Sequence, residues 1–299
     1  MNRPLRIGVI NLMPRLETYE PSLRAALSPP GFPQHCVELV GIRLASHGYR
    51  SSDPEYLRTR YRSYDEVTRE AALDGLLLTG APVETLDFSA VHYWEELAAL
   101  LRRARREVPS TLGLCWGAMA LASLEGIDKV NLPQKVFGVF EHVLSPEGRA
   151  WLPSLGATYR CAQSRHAGLD DTSVTQAIRD GRVLSLARSN VTGHTLLISF
   201  DRRVVMHLGH PEYEPSRIIW EWDRDRRVGR PDVAPPVGFD VEGRTPTLPW
   251  EADSRAFFQA WISGVLSSSR AWTSPSANMW TSTRTGPGSC SRRVSCEGG

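Results

Sequence analysis

A cysteine held between two glycines, Gly113-Leu-Cys115-Trp-Gly117, constrains the fold of this chain more than any other string. It closes an apolar strand, Ser110–Leu114, and opens a small-residue helix, Trp116–Leu124, so the backbone must turn there from extended to helical. The two glycines allow the tight turn and the close approach of helix to strand. Such an elbow belongs to a parallel sheet with helices packed against it, and the residues around it agree. Apolar periodicity predicts strands over 6–12, 36–42 and 74–78. It predicts helices over 20–27, 65–73 and about 91–107, the last with Leu97, Leu100 and Leu101 at helical spacing. Strands alternating with helices make βαβ units, hence an α/β fold with a mostly parallel sheet flanked by helices.

Past the elbow helix the pattern predicts strands over 183–186, 195–200 and 203–207. The last two flank Asp201-Arg202 as a hairpin. Helices follow at Pro215–Arg227 and 252–266, joined by a Pro-rich surface loop over 230–249. From residue 267 the composition turns to Ser, Thr, Gly and Arg, so 1–266 is the expected domain and 267–299 a low-complexity, disordered tail.

Thirty-five basic residues against 33 acidic ones leave a net charge of +2, not the excess of a nucleic-acid binder. No apolar run approaches the roughly 20 residues of a membrane span. The opening residues read as a first strand without signal-peptide features. Five scattered cysteines with no CxxC pair suggest neither a disulfide framework nor a metal site, and fit a reducing cytoplasm. The only lysines are Lys129 and Lys135.

A thiol at a helix N-terminus feels the positive end of the helix dipole, which favours the thiolate, and the N–H of Trp116 points toward an oxyanion forming at that sulfur. The alternative for Cys115 is a buried core cysteine. A nucleophile needs a base. His210-Pro-Glu212, just after a predicted strand, supplies one with an orienting carboxylate and should emerge at the same sheet edge as Cys115. His207, inside that strand, reads as structural. Thr79-Gly80-Ala81-Pro82-Val83-Glu84 closes another strand, where the Gly80 and Ala81 N–H groups could complete an oxyanion hole.

The elbow cysteine, the downstream His-x-Glu and the sheet resemble the class I glutamine amidotransferase (flavodoxin-like) sandwich. Within it, an ordered set of strings is similar to the homoserine O-acyltransferases, which open methionine biosynthesis by O-succinylation or O-acetylation. These are Asn-Leu-Met-Pro at 11–14, Thr-Gly-Ala-Pro-Val-Glu at 79–84, Leu-Cys-Trp-Gly-Ala at 114–118, the Lys135 to His142 string, Ser164-Arg165-His166 and Gly-His-Pro-Glu-Tyr at 209–213. The resemblance implies a Cys115 acyl-enzyme and ping-pong transfer, with His210 as base and Glu212 as its orienter. It implies substrate contacts from Lys135, Ser164 and Arg224, the last on the amino-acid carboxylate, with Glu221 available to the amino group. By residue type alone, Lys135 could be a surface lysine paired with Glu141, and Arg224 one charge on a solvated helix face.

In that family a glutamate at the position of Glu84 accompanies acetyl-CoA and a small residue succinyl-CoA. Physically, a succinyl carboxylate beside an ionised Glu84 is a like-charge pair. The alternative is a solvated loop carboxylate pointing away. The resemblance therefore implies a cytoplasmic acetyl-CoA-dependent homoserine O-acyltransferase with small-molecule substrates. No cofactor beyond the acyl-CoA co-substrate, no metal, and no nucleic-acid or membrane partner is expected; a homodimer is compatible. Departures lie at Arg15–Glu20, where a lysine-bearing string is usual, at 231–240, which lacks the usual Asn-Tyr-Phe-Pro, and before the first strand, where a leading segment is usual. They keep serine open as acceptor. Glutaminase or hydrolase activity, and a non-enzymatic binding protein, remain rivals on the same fold.

Overall fold

The computed structural model describes residues 3–28 and 37–272. The first half alternates as expected, with an unforeseen α2 and β3 before α3: β1 (Leu5–Ile10), α1 (Leu16–Ala26), β2 (Val37–Ile42), α2 (Pro54–Arg60), β3 (Tyr61–Arg62), α3 (Tyr64–Glu70), β4 (Gly75–Leu78), α4 (Trp94–Glu107), β5 (Ser110–Leu114) and α5 (Trp116–Leu124). The second half runs β6 (Lys129–Leu144), α6 (Pro146–Trp151), β7 (Thr158–Leu169), α7 (Asp171–Arg179), β8 (Val183–Ser189), β9 (Gly193–Ser199), β10 (Val204–His207), α8 (Pro215–Arg227), β11 (Phe239–Asp240), β12 (Thr245–Pro246) and α9 (Glu251–Trp272).

Ten strands form one sheet in the order β3-β2-β1-β4-β5-β10-β9-β8-β6-β7. The pairs from β3 through β10 are parallel. Those from β10 through β7 are antiparallel, including the expected β9–β10 hairpin. Alternate residues of the central strands enter opposite cores, as the pleat requires. Leu76 and Leu78 join Leu97, Leu101 and Trp116 on one face, while Leu77 and Leu112 join Tyr19, Ile218 and Trp261 on the other. Each fully buried leucine there is worth about 1.5–3 kcal/mol, which is what holds helices on both faces.

Several expectations are corrected. Helix α1 starts at Leu16 rather than residue 20, since Arg15, in left-handed backbone at φ 55°, ends the preceding loop. The long β6–β7 hairpin was not expected: Pro133 argues against a strand, yet it falls where the pairing breaks between Asn131 and Val136. The 230–249 segment packs on β6, with Val237 bridged to Gly138 and the Lys135 N–H donating to the Asp232 carbonyl. The boundary at 266 falls inside α9, which continues to Trp272 with Ser269 buried, so 267–272 is helix rather than tail. The rest of the expected tail and Cys36 lie outside the described residues. No described helix is long and apolar enough to cross a membrane, and no His, Cys, Asp and Glu cluster among the described residues could hold a metal ion.

His207 is structural as expected. Its Nδ1 accepts from the Gly209 N–H at 3.0 Å and its Nε2 meets the Tyr159 hydroxyl at 2.7 Å, while buried His142 bonds the Tyr159 carbonyl and Thr192. Burial lowers the pKa of His142 to about 4, and burial together with His142 lowers that of His207 to about 3. Unfolding lets both rings take up protons, so their contribution is complete above about pH 6.5 and is lost as the pH falls. At about pH 5, above the range where ordinary carboxylates titrate, the loss is about 2 kcal/mol per ring. A urea midpoint that stays constant from pH 7 to 5 would contradict this.

Candidate active site

Cys115 sits at φ 51°, ψ −115°, a conformation a non-glycine residue rarely adopts, between the end of β5 and the first turn of α5. A Cβ at Gly113 would lie 2.5 Å from the Gly117 carbonyl oxygen, and one at Gly117 would lie 2.5 Å from that of Leu78. Both elbow glycines are therefore required by contact. The Cys115 N–H donates to the His207 carbonyl at 2.8 Å, tying the elbow to the end of β10.

Parallel pairing of Leu114 with His207 brings the two strand ends together, and His210 emerges three residues on. Its N–H is held by the Ala162 carbonyl of β7 at 2.8 Å. The ring lines the same cavity as Cys115, and Nδ1 lies 2.7 Å from Glu212 Oε1. His210 and Glu212 are almost fully buried. Burial alone would lower the His210 pKa, but the charges of Cys115 and Glu212 overcome it and hold the pKa well above the ordinary value. Glu212 Oε1 also accepts from the Tyr19 hydroxyl at 2.7 Å, a contact across 193 residues that no local pattern foretold.

The Gly80–Ala81 turn closes the other side of the thiol: a Cβ at Gly80 would stand 3.4 Å from Cys115 Cβ and 3.5 Å from His210 Cε1. The Gly80 and Ala81 N–H groups meet no acceptor among the described residues. The Trp116 N–H begins α5, where helices leave their first N–H groups free. Three N–H groups of the elbow and the Gly80–Ala81 turn thus lack an acceptor among the described residues.

A cavity of about 410 Å³ opens from Cys115, and Glu84, Lys135, Ser164, Glu221 and Arg224 all line it. Lys135 is buried against Asp225 at 2.7 Å and Glu221 at 3.4 Å, with its ammonium over the Phe137 ring; Glu141 pairs with Arg160 instead. Glu221 accepts from the Tyr213 hydroxyl at 3.0 Å, Arg217 at 3.1 Å, Lys135 and the Ser164 hydroxyl. Burial opposes its charge, but Lys135 and Arg217 prevail and hold its pKa at about 2. An amino group binding Glu221 must displace one of these partners. Arg224, half-exposed on the rim, rests on Asp225. Glu84 faces the cavity rather than bulk solvent, with its carboxylate 3.3 Å from His166 Nδ1. Burial works against its charge, yet the His166 contact keeps its pKa below the ordinary value.

Sequence reasoning assigned no role to Tyr19, Tyr213, Arg217 or Asp225. Tyr213 stacks on the His210 ring at 4.0 Å between centroids. Its position in the Gly-His-Pro-Glu-Tyr string was the one available signal.

An elbow cysteine paired with His-x-Glu from the neighbouring parallel strand defines a protein of the class I glutamine amidotransferase-like fold. Solved structures agree on the fold. A glutamine amidotransferase from Thermotoga maritima aligns with TM-score 0.58 at 12% identity, over 88% of this chain and 99% of that one. A glutamine amido transferase from Methylobacillus flagellatus aligns with TM-score 0.53 at 14% identity, over 88% and 95%. Residues 1–270 match the homoserine O-succinyltransferase family, and the chain belongs to it. A homoserine O-acetyltransferase of Petrotoga mobilis is 36% identical over 264 residues, 87% of this chain and 83% of that protein. One of Bacillus subtilis is 30% identical over 262 residues, 87% and 85%.

Proposed function

We propose that this protein transfers an acetyl group from acetyl-CoA to the hydroxyl of homoserine through a thioester on Cys115. The observation that carries this is the Cys115–His210–Glu212 array opening on a cavity walled by Glu84. Cys115 sulfur attacks the thioester carbonyl, and the N–H groups of Gly80, Ala81 and Trp116 receive the oxyanion. The C–S bond to CoA breaks, and His210 gives its proton to the departing sulfur. With the sulfur acylated, the anion that raised the His210 pKa is gone, so burial counts for more and the imidazole becomes a base when one is needed. It takes the homoserine hydroxyl proton, the oxygen attacks the acyl carbon, and Cys115 leaves as thiolate. In this reading Arg224, on the cavity rim beside Asp225, takes the amino-acid carboxylate. The Lys135–Glu221–Ser164 cluster forms the wall beside it.

Incubating the protein with acetyl-CoA or succinyl-CoA and either homoserine or serine tests this by product identity. O-acetylhomoserine is expected. O-acetylserine alone would overturn the acceptor, and glutamine hydrolysis without acyl transfer would overturn the class.

Glu84→Gly is expected to shift the preference toward succinyl-CoA. Two like charges about 5 Å apart in a partly desolvated site repel by about 3 kcal/mol, so kcat/KM for succinyl-CoA should rise on the order of 10- to 100-fold. A parent protein that already prefers succinyl-CoA would show that Glu84 does not set the donor.

A further inference from the structure

A second cavity, of about 600 Å³, adjoins the first across a shared wall of Met13, Pro14 and Pro82. Its charge differs in kind. The cavity at Cys115 carries the carboxylates of Glu84, Glu221 and Asp225, and a third, on the far side of Pro14, carries Glu212 and Glu214. No carboxylate lines the second one, which presents Arg50, His47 and His92 above a floor of Leu12 and Val83. Arg50 is exposed and has no ion-pair partner among the described residues. The His47 ring lies 5.7 Å from that of His92, and its buried Nδ1 has no hydrogen-bond partner among the described residues. The loop bearing them is built rather than loose: the Glu96 carboxylate accepts from the Ala45 and Ser46 N–H groups at 2.7 Å. Tyr49, at φ 43°, accepts the Leu44 N–H on its hydroxyl, and Ser52 accepts that of Leu16.

We infer that this cavity takes the pantetheine arm and phosphates of the acyl-CoA donor, the arm crossing Met13 and Pro82 and the phosphates meeting Arg50, His47 and His92. The inference rests on the acetyl-CoA reading above. A thioester at Cys115 must send its long anionic leaving group out of the cavity, and of the two neighbouring hollows this one has no carboxylate in its lining and a guanidinium with no ion pair among the described residues. In the third cavity Arg217 and Arg224 are tied to Glu221 and Asp225, and Arg15 has no ion pair among the described residues, beside the Glu212 and Glu214 carboxylates.

The test compares Arg50→Glu with Arg15→Glu, using acetyl-CoA and the phosphate-free donor S-acetyl-N-acetylcysteamine, with CoA binding followed by equilibrium dialysis. Arg50→Glu is expected to raise KM for acetyl-CoA and weaken CoA binding by about tenfold or more while the truncated donor's KM holds. Arg15→Glu should leave both donors unaffected. A smaller change in Arg50→Glu, an equal loss with the truncated donor, or transfer of the loss to Arg15→Glu overturns the placement. Turnover of the truncated donor by the parent protein reports acetyl transfer by itself. Failure of the parent protein to acetylate homoserine from acetyl-CoA sinks the functional reading, whereas transfer from acetyl-CoA with an unaltered Arg50→Glu sinks only the placement.

Discussion

Cys115→Ala is expected to abolish acetyl transfer, a loss on the order of 10⁴-fold or more, because the proposed transfer gives the acyl group no other nucleophile. The substitution removes one atom and keeps the Cβ, so the elbow, whose geometry depends on Gly113 and Gly117, persists. Intact mass makes the readout direct. Mixed with acetyl-CoA and no acceptor, the parent protein should gain the mass of one acetyl group and the variant none. Cys161, the other described cysteine, is buried with its thiol against the Ala162 carbonyl, and burial raises its pKa well above the ordinary value. It should stay unlabelled, and Cys161→Ala should retain the mass gain. Transfer by Cys115→Ala at the parent rate would end the covalent mechanism.

His210→Ala should cost about 10³-fold, since one imidazole serves the departure of CoA and the activation of homoserine. Glu212→Gln should cost less, because an amide oxygen still accepts from Nδ1 and from Tyr19. The sign of its pH effect is fixed. The Glu212 charge raises the His210 pKa, so removing it lowers that pKa. The acid limb of the homoserine step, where rate falls as the ring protonates, should therefore move to lower pH in Glu212→Gln. A limb that stays in place while the rate drops would make Glu212 a purely steric support.

The parts of this protein that are local in sequence were legible without coordinates. Gly113, Cys115 and Gly117 specify the elbow because the steric demands of a strand-to-helix turn act within a few residues. The strand–helix alternation to residue 124 reads from the sequence because the central strands, buried on both faces, are short apolar runs, while a helix such as α4 buries one stripe. His210 could be placed at the reaction edge because a parallel strand delivers the residues that follow it to one side of a sheet. Homoserine acyltransferase family membership was equally readable, from strings scattered through the chain in order.

Tertiary structure alone decided what surrounds the reacting pair. The β6–β7 hairpin carries Lys135, Ser164 and His166, and it was hidden because Pro133 breaks the alternation at the point where its pairing is irregular. Glu221 and Asp225 look like charges on a solvated helix, yet both are buried, since α8 packs where Lys135 can neutralise them. Tyr19 lies before the helix expected over 20–27, and only the packing of α1, which starts at Leu16, carries its hydroxyl to Glu212. Each is a contact between residues far apart in the chain. Residue type and spacing report what a side chain demands of its neighbours in sequence, while the low-dielectric surroundings that give a buried charge its partner exist only once the layers have closed.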